Sequence, residues 1–290
     1  MKDKVITVTG STGTIGSELV RLLSEAGAAV RAVMRNFDRI QDLPHVVWLK
    51  ADLDDEALTE TVLAGTQRLF VLTGNQSGFS KTQINLIKTA ERLGVEHVVK
   101  LSALGATPHT KSRLAKEHYD VEQVLENSNM SFTVLRPHAF MQNWLGEVAE
   151  TVRQENKIYA AIGDGRVPFI DARDIAAVAA ESLLNPEKHH GKYYVLTGGE
   201  AVGYTALAEA ISDAAGKTVT YESLSMEDMR KRMEKQGLDN SMIDSYLALA
   251  AYQKAGGPTE RTSDSVLQVL GRPPRIISDF ARDYKMHFVR

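Results

Sequence analysis

Three glycines at three-residue spacing, Gly10, Gly13 and Gly16, stand between an apolar run (Val5-Ile6-Thr7-Val8-Thr9) and the first residues with helical period. Glycine allows a tight turn and a close backbone approach to a ligand, and the N–H groups of a helix's first turn attract anions. In Gly10-Ser11-Thr12-Gly13-Thr14-Ile15-Gly16, Gly10 is expected to make the turn, Gly13 to meet a diphosphate, and Gly16 to bring helix close to strand. The spacing differs from the G-x-G-x-x-G of many dehydrogenases, and a turn without a ligand is the competing reading. Placement between strand and helix favours the dinucleotide.

About twenty residues on, where a second strand should end, an adenosine ribose would be met. Met34-Arg35-Asn36 stands there with no carboxylate to accept from a free 2′-hydroxyl. The planar, permanently charged Arg35 suits a 2′-phosphate, with Asn36 as a second donor, so NADPH is expected over NADH. A solvated loop arginine is the alternative. Asp52 is placed to accept from the adenine amino group with Leu53 against the ring, or to cap a helix, the role expected of Asp54 and Asp55. Thr73-Gly74-Asn75 follows the fourth strand at the sheet's carboxyl edge, where ligands bind in open α/β folds, although turn chemistry also explains Gly-Asn.

Other chemistries find no support. The 290 residues contain no cysteine, which removes disulfides, thiolate metal sites and a Cys nucleophile. Eight histidines are scattered without HExxH spacing, no G-x-S-x-G elbow occurs, and no metal is expected. With 34 Lys+Arg against 37 Asp+Glu the net charge is −3, which argues against nucleic acid as a ligand. No run is long enough for a membrane span and the chain enters a strand pattern at once, so a cytoplasmic protein without a leader is expected.

The elements that must position these residues alternate. Val30–Val33, Val46–Leu49, Leu69–Leu72, His97–Leu101 and Ser131–Leu135 resemble the first strand, and helical periods close at Gly27, Gly65 and Gly94. This predicts α/β architecture: a doubly wound parallel sheet (Rossmann fold) with a second, smaller, mostly helical lobe. Residues 1–137 and 166–198 are expected to form the dinucleotide-binding domain, with a strand at Val167–Ile170, and residues 138–165 and 199–290 the other lobe. Phe140, Met141, Asn143 and Trp144, just past the sixth strand, are expected to line the acceptor pocket, where Phe140 and Trp144, i, i+4, offer aromatic faces to a flat substrate; core packing explains them as well. Met226, Met229 and Met233 form a helical stripe of the kind usual in cores.

The stretches Val8 to Gly16, Val33-Met34-Arg35-Asn36, Leu135-Arg136-Pro137-His138-Ala139-Phe140-Met141-Gln142-Asn143 and Ile170-Asp171-Ala172-Arg173-Asp174-Ile175-Ala176 together resemble the NmrA-like branch of the atypical short-chain dehydrogenase/reductases. The resemblance spans nearly the whole chain and implies an NADPH-dependent reductase of quinones or of triphenylmethane or azo dyes. The same branch holds regulators that sense the dinucleotide without turnover, which is the alternative. The Tyr-x-x-x-Lys dyad of ordinary members is missing, since Tyr119 is followed four residues later by Gln123. The resemblance places His118 and Glu122 at the catalytic positions of this helix, i, i+4 on one face. There the carboxylate is expected to orient the imidazole or raise its pKa for proton delivery. Spacing alone favours a solvated helix face, and only the resemblance sets the catalytic reading level with it. The expected partner is a small electrophilic molecule, without nucleic acid or membrane; assembly as a homo-oligomer is left open.

Overall fold

The computed structural model describes residues 4–36 and 40–289. In chain order the first elements are β1 (Ile6–Val8), α1 (Thr14–Glu25), β2 (Val30–Met34), β3 (Val46–Lys50), α2 (Glu56–Leu63), β4 (Arg68–Val71), α3 (Phe79–Arg92), β5 (His97–Leu101), α4 (Arg113–Glu126) and β6 (Ser131–Pro137). Then come α5 (Glu147–Glu155), β7 (Lys157–Ala160), α6 (Ala172–Leu184), α7 (Pro186–His189), β8 (Lys192–Leu196), α8 (Tyr204–Ala215), β9 (Thr220–Ser223), α9 (Met226–Lys235), α10 (Asn240–Ala255), α11 (Ser265–Leu270), α12 (Ile277–Asp283) and α13 (Lys285–Phe288).

Two compact units result. The first comprises Met1–His138, Ala172–Leu196 and Ser265–Arg272. Its sheet has the order β3-β2-β1-β4-β5-β6-β8 with every pair parallel. The chain reverses direction of travel between β1 and β4, so the turn after β1 lies at the switch point where doubly wound sheets bind ligands. The helices end as expected at left-handed glycines, with φ of 73° at Gly27 and Gly65 and 76° at Gly94. On one face Leu69, Val71, Val98 and Val134 pack against Val62, Leu86, Ile87, Val121 and Leu125 of α2, α3 and α4. On the other lie α1 and α6.

The second unit comprises Ala139–Asp171, Thr197–Asp264 and Pro273–Arg290. It holds a two-stranded parallel sheet of β7 and β9 among helices. The strand expected at Val167–Ile170 is absent: Ile170 bridges Phe140 and Val167 bridges Val202, each as an isolated pair. Those pairings draw residues 166–171 into this unit, whereas the expected division put them with the large sheet. Four residues of β7 are too few to show alternation in a sequence. No helix among the described residues is long and apolar enough to cross a membrane.

Candidate functional site

The glycine turn is built around two contacts that exclude any side chain. Gly10 has a φ of 64°, and a Cβ there would lie 2.8 Å from the Leu72 carbonyl oxygen. At Gly16 a Cβ would lie 2.1 Å from the Gly10 carbonyl oxygen. Thr9 fastens the turn to β4: its hydroxyl donates to the carbonyl oxygens of Phe70 and Leu72 and accepts from the Leu72 N–H at 2.9 Å. Ser11 fastens it to β2 by donating to the Val33 carbonyl at 2.7 Å. Gly13 is the N-cap of α1 and supplies no side-chain acceptor to the first-turn N–H groups, nor does that turn hold an acidic residue. A buried hydroxyl, two backbone-filling glycines and a helix start without an internal anion make a cradle that fits a diphosphate.

Around it the residues expected to hold the rest of a dinucleotide lie on the carboxyl side of the sheet. Arg35 and Asn36 are exposed at the end of β2. Asp52 is exposed, and its Oδ1 accepts from the Asp54 N–H at 3.1 Å, leaving capping of α2 to Asp55, which accepts from Ala57 and Leu58. Asp54, expected as a cap, instead accepts from Thr82. Leu53 packs partly on the core. Thr73 accepts from the Gln83 amide at 2.7 Å, while Gly74 and Asn75 are exposed beside it. The buried Gln83 Oε1 has no hydrogen-bond partner among the described residues. Gln83 was not legible as a site residue because it reads as an ordinary polar position on α3.

The expectation for His118 and Glu122 fails in its chemistry. Glu122 is 1 % exposed, and Arg136 of β6 holds both of its oxygens, with Nε 3.0 Å from Oε1 and Nη2 2.5 Å from Oε2. Ser102 donates to the same Oε1. That carboxylate is committed to an arginine and does not orient the imidazole. His118 is buried against Phe79, with ring centroids 4.8 Å apart, and its Nδ1 lies 3.1 Å from the Lys100 ammonium nitrogen. Burial, with the Lys100 charge adding to it, holds the histidine well below its ordinary pKa, the reverse of the expected rise. Lys100 is fully buried and burial pushes it down to about 7, against a smaller upward pull from Glu122. When Lys100 carries its proton it donates to Nδ1, and the neutral ring then holds its own proton on Nε2. In that form the ring offers a neutral N–H rather than an imidazolium.

Lys100 is a site neighbour that sequence reasoning misses. The signal was a lysine inside His97-Val98-Val99-Lys100-Leu101, a run whose neighbours are all strand core. Arg136 stood in a recognised stretch without an assigned role, because its pairing with Glu122 joins residues from a strand and a helix.

In the second unit, two of the four expected substrate contacts are core. Trp144 is 2 % exposed and packs on Phe169, Tyr204 and Phe280, with the Phe169 ring centroid 4.6 Å away. Met141 is equally buried in that cluster. The faces of the Trp144 indole are taken up by these rings, which leaves it no free face for the stacking expected of it. Phe140 is half-buried and Asn143 exposed. Met229 and Met233 join the core, as their spacing predicts, while Met226 packs partly buried at its edge.

A seven-stranded parallel sheet with a side-chain-excluding glycine cradle at its switch point defines a Rossmann-type α/β protein. The chain belongs to the NmrA-like family, which matches residues 2–281. It is 34 % identical over 289 residues to an NAD(P)H azoreductase of Xenophilus azovorans, covering 98 % of this chain and 99 % of that one. A solved NADPH complex of an NADPH-dependent quinone oxidoreductase from Escherichia coli superimposes with a TM-score of 0.84 at 27 % identity, over 96 % of this chain and 99 % of that one. The triphenylmethane reductase of Citrobacter sp., solved with NADP(H), has a TM-score of 0.81 over 96 % and 99 % of the two chains. At 22 % identity that last likeness concerns the fold alone.

Proposed function

We propose that this protein is an NADPH-dependent oxidoreductase that reduces a planar electrophile of quinone or dye type. The observation that carries the reading is the glycine cradle, where Gly16 approaches the Gly10 backbone too closely for any side chain at the uncapped start of α1. The named relatives agree with it, two of them carrying NAD(P)H or NADPH in their descriptions. In this reading the first-turn N–H groups of α1 hold the diphosphate, Arg35 and Asn36 the 2′-phosphate, Asp52 and Leu53 the adenine, and Thr73 to Asn75 the following part of the dinucleotide. Bound there, the nicotinamide supplies a hydride.

His118 donates its Nε2–H to the acceptor atom on which negative charge develops, a role that a neutral imidazole can fill without first being protonated. Glu122 acts on no reacting atom; by holding Arg136 it ties α4 to β6 and keeps His118 in place. An electrophile that accepts a hydride readily suits this apparatus, in which positioning does most of the work.

The experiment is NADPH oxidation with a benzoquinone, a naphthoquinone, a triphenylmethane dye and an azo dye, alongside binding titrations of NADPH, NADP⁺ and NADH. Turnover with one of these acceptors is expected. Tight dinucleotide binding with no turnover on the whole panel would replace the enzyme by a dinucleotide-sensing regulator.

A further inference from the structure

Lys100 sits on the inner face of β5, in register with Val71 of β4 and Val134 of β6, so its neighbours across the sheet are aliphatic. None of it is exposed. A lysine in such a place carries a desolvation cost that a leucine would not. Its Nζ donates to the Leu101 carbonyl oxygen and lies 3.1 Å from His118 Nδ1. His118 is also buried, at 5 % exposed, so the pair is largely shielded from solvent. The remaining charged groups nearby are spoken for: Glu122 by Arg136 and Ser102, and Glu117, on the same helix, by Arg113 and by the N–H groups of Gly78 and Ser80.

We propose that Lys100 and His118 form a two-step proton relay, in which Lys100 reloads the imidazole as it gives its Nε2 proton to the reduced acceptor. The inference rests on the reductase reading above. The hydride step carries both electrons and one hydrogen, oxidising the dinucleotide and leaving the acceptor as an anion. The relay then moves a proton and no electrons: the Nε2–H bond breaks as the acceptor's O–H or N–H bond forms, and an Nζ–H bond breaks as Nδ1–H forms. Lys100 is left a neutral amine in an apolar setting that favours that form, and solvent protons restore both groups. Lys100 touches no reacting atom, so it is a positioning and proton-supplying residue acting through His118.

Acceptor chemistry gives the test its internal control. Quinones and azo compounds consume a proton on two-electron reduction, whereas a triphenylmethane dye cation becomes its neutral leuco form by hydride alone. In Lys100→Met and in His118→Phe, the ratio of quinone or azo turnover to dye-cation turnover should fall by about tenfold or more. The quinone rate of the wild type should decline as pH rises through neutrality, and that inflection should vanish in Lys100→Met. A ratio and pH profile equal to the wild type's overturn the relay. If the wild type turns over none of these acceptors, the reductase reading fails. In that case, and equally if only the dye cation is reduced, no acceptor takes up a proton and the relay is overturned. With a quinone or azo acceptor turned over, NMR of the protein without dinucleotide tests the contact itself. A neutral Nε2–H tautomer of His118 whose Nδ1 shift follows the titration of Lys100 supports the relay. An Nδ1–H tautomer, or a shift indifferent to Lys100, overturns it.

Discussion

Gly16 stands so close to Gly10 that a methyl group on it would lie 2.1 Å from the Gly10 carbonyl oxygen. The clash is with backbone, which in turn is pinned by Thr9 and Ser11 to two neighbouring strands. Gly16→Ala should therefore push α1 away from the turn and weaken NADPH binding by about tenfold or more, an effect worth about 1.4 kcal/mol per decade. Gly27→Ala meets no neighbour and costs only its left-handed conformation, so it should lower the melting temperature with dinucleotide affinity retained. Fluorescence titration of the two variants separates the effects.

Arg35→Ala should weaken NADPH by about ten- to a hundredfold while NADH changes little, because a charge-assisted hydrogen bond to a 2′-phosphate is worth about 1.5–3 kcal/mol. Equal losses for the two dinucleotides would remove the 2′-phosphate role. Parallel binding titrations are sufficient.

Removing Glu122 leaves Arg136 with its bidentate partner gone and Ser102 without an acceptor. Because Arg136 is partly exposed and can be solvated, Glu122→Ala should cost about 1.5–3 kcal/mol, in the range for charge-assisted hydrogen bonds. Glu122→Gln keeps the shape and one acceptor and should cost less. Denaturant unfolding of both variants measures the difference.

Stability should fall in mild acid through His97. Burial, with the charge of Arg68 next, lowers this histidine to about 4, and the two hydroxyls beside it, Ser131 at 2.8 Å and Thr133 at 3.3 Å, suit the neutral ring. The folded value lies below the unfolded one of about 6.5, so the unfolded chain binds the proton first. The contribution is fully present above about pH 6.5 and is lost as pH falls toward 4, roughly 3 kcal/mol in all. His97→Gln should flatten the pH dependence of the unfolding free energy in that window by about one proton.

Trp144 offers a test of core against pocket. Its contacts with Phe169, Tyr204 and Phe280 predict that Trp144→Ala loses about 3–5 kcal/mol. Trp144→Phe should lower the melting temperature with little change in the acceptor KM. A large rise in KM from Trp144→Phe without loss of stability would return the residue to the pocket.

Local patterns in the chain were enough for the parallel sheet, the glycine turn and the helix ends. Each depends on neighbours in sequence: β-branched runs, a 3.6-residue period, and a glycine at a left-handed position. The positions of Arg35 and Asn36 followed by counting from the glycines, because strand and helix lengths in a crossover unit vary little. Tertiary structure alone decided what faces what. Glu122 and His118 share a helix face in the sequence, yet Arg136 arrives from β6 to take the carboxylate and Lys100 from β5 to meet the imidazole. That exchange reverses the sign of the histidine's pKa shift, since burial and a cation stand where a carboxylate was expected. The fate of Trp144 was settled in the same way, by rings from Phe169, Tyr204 and Phe280 that lie far along the chain. A side chain's environment is a property of contacts between distant segments, and only the folded chain brings those segments together.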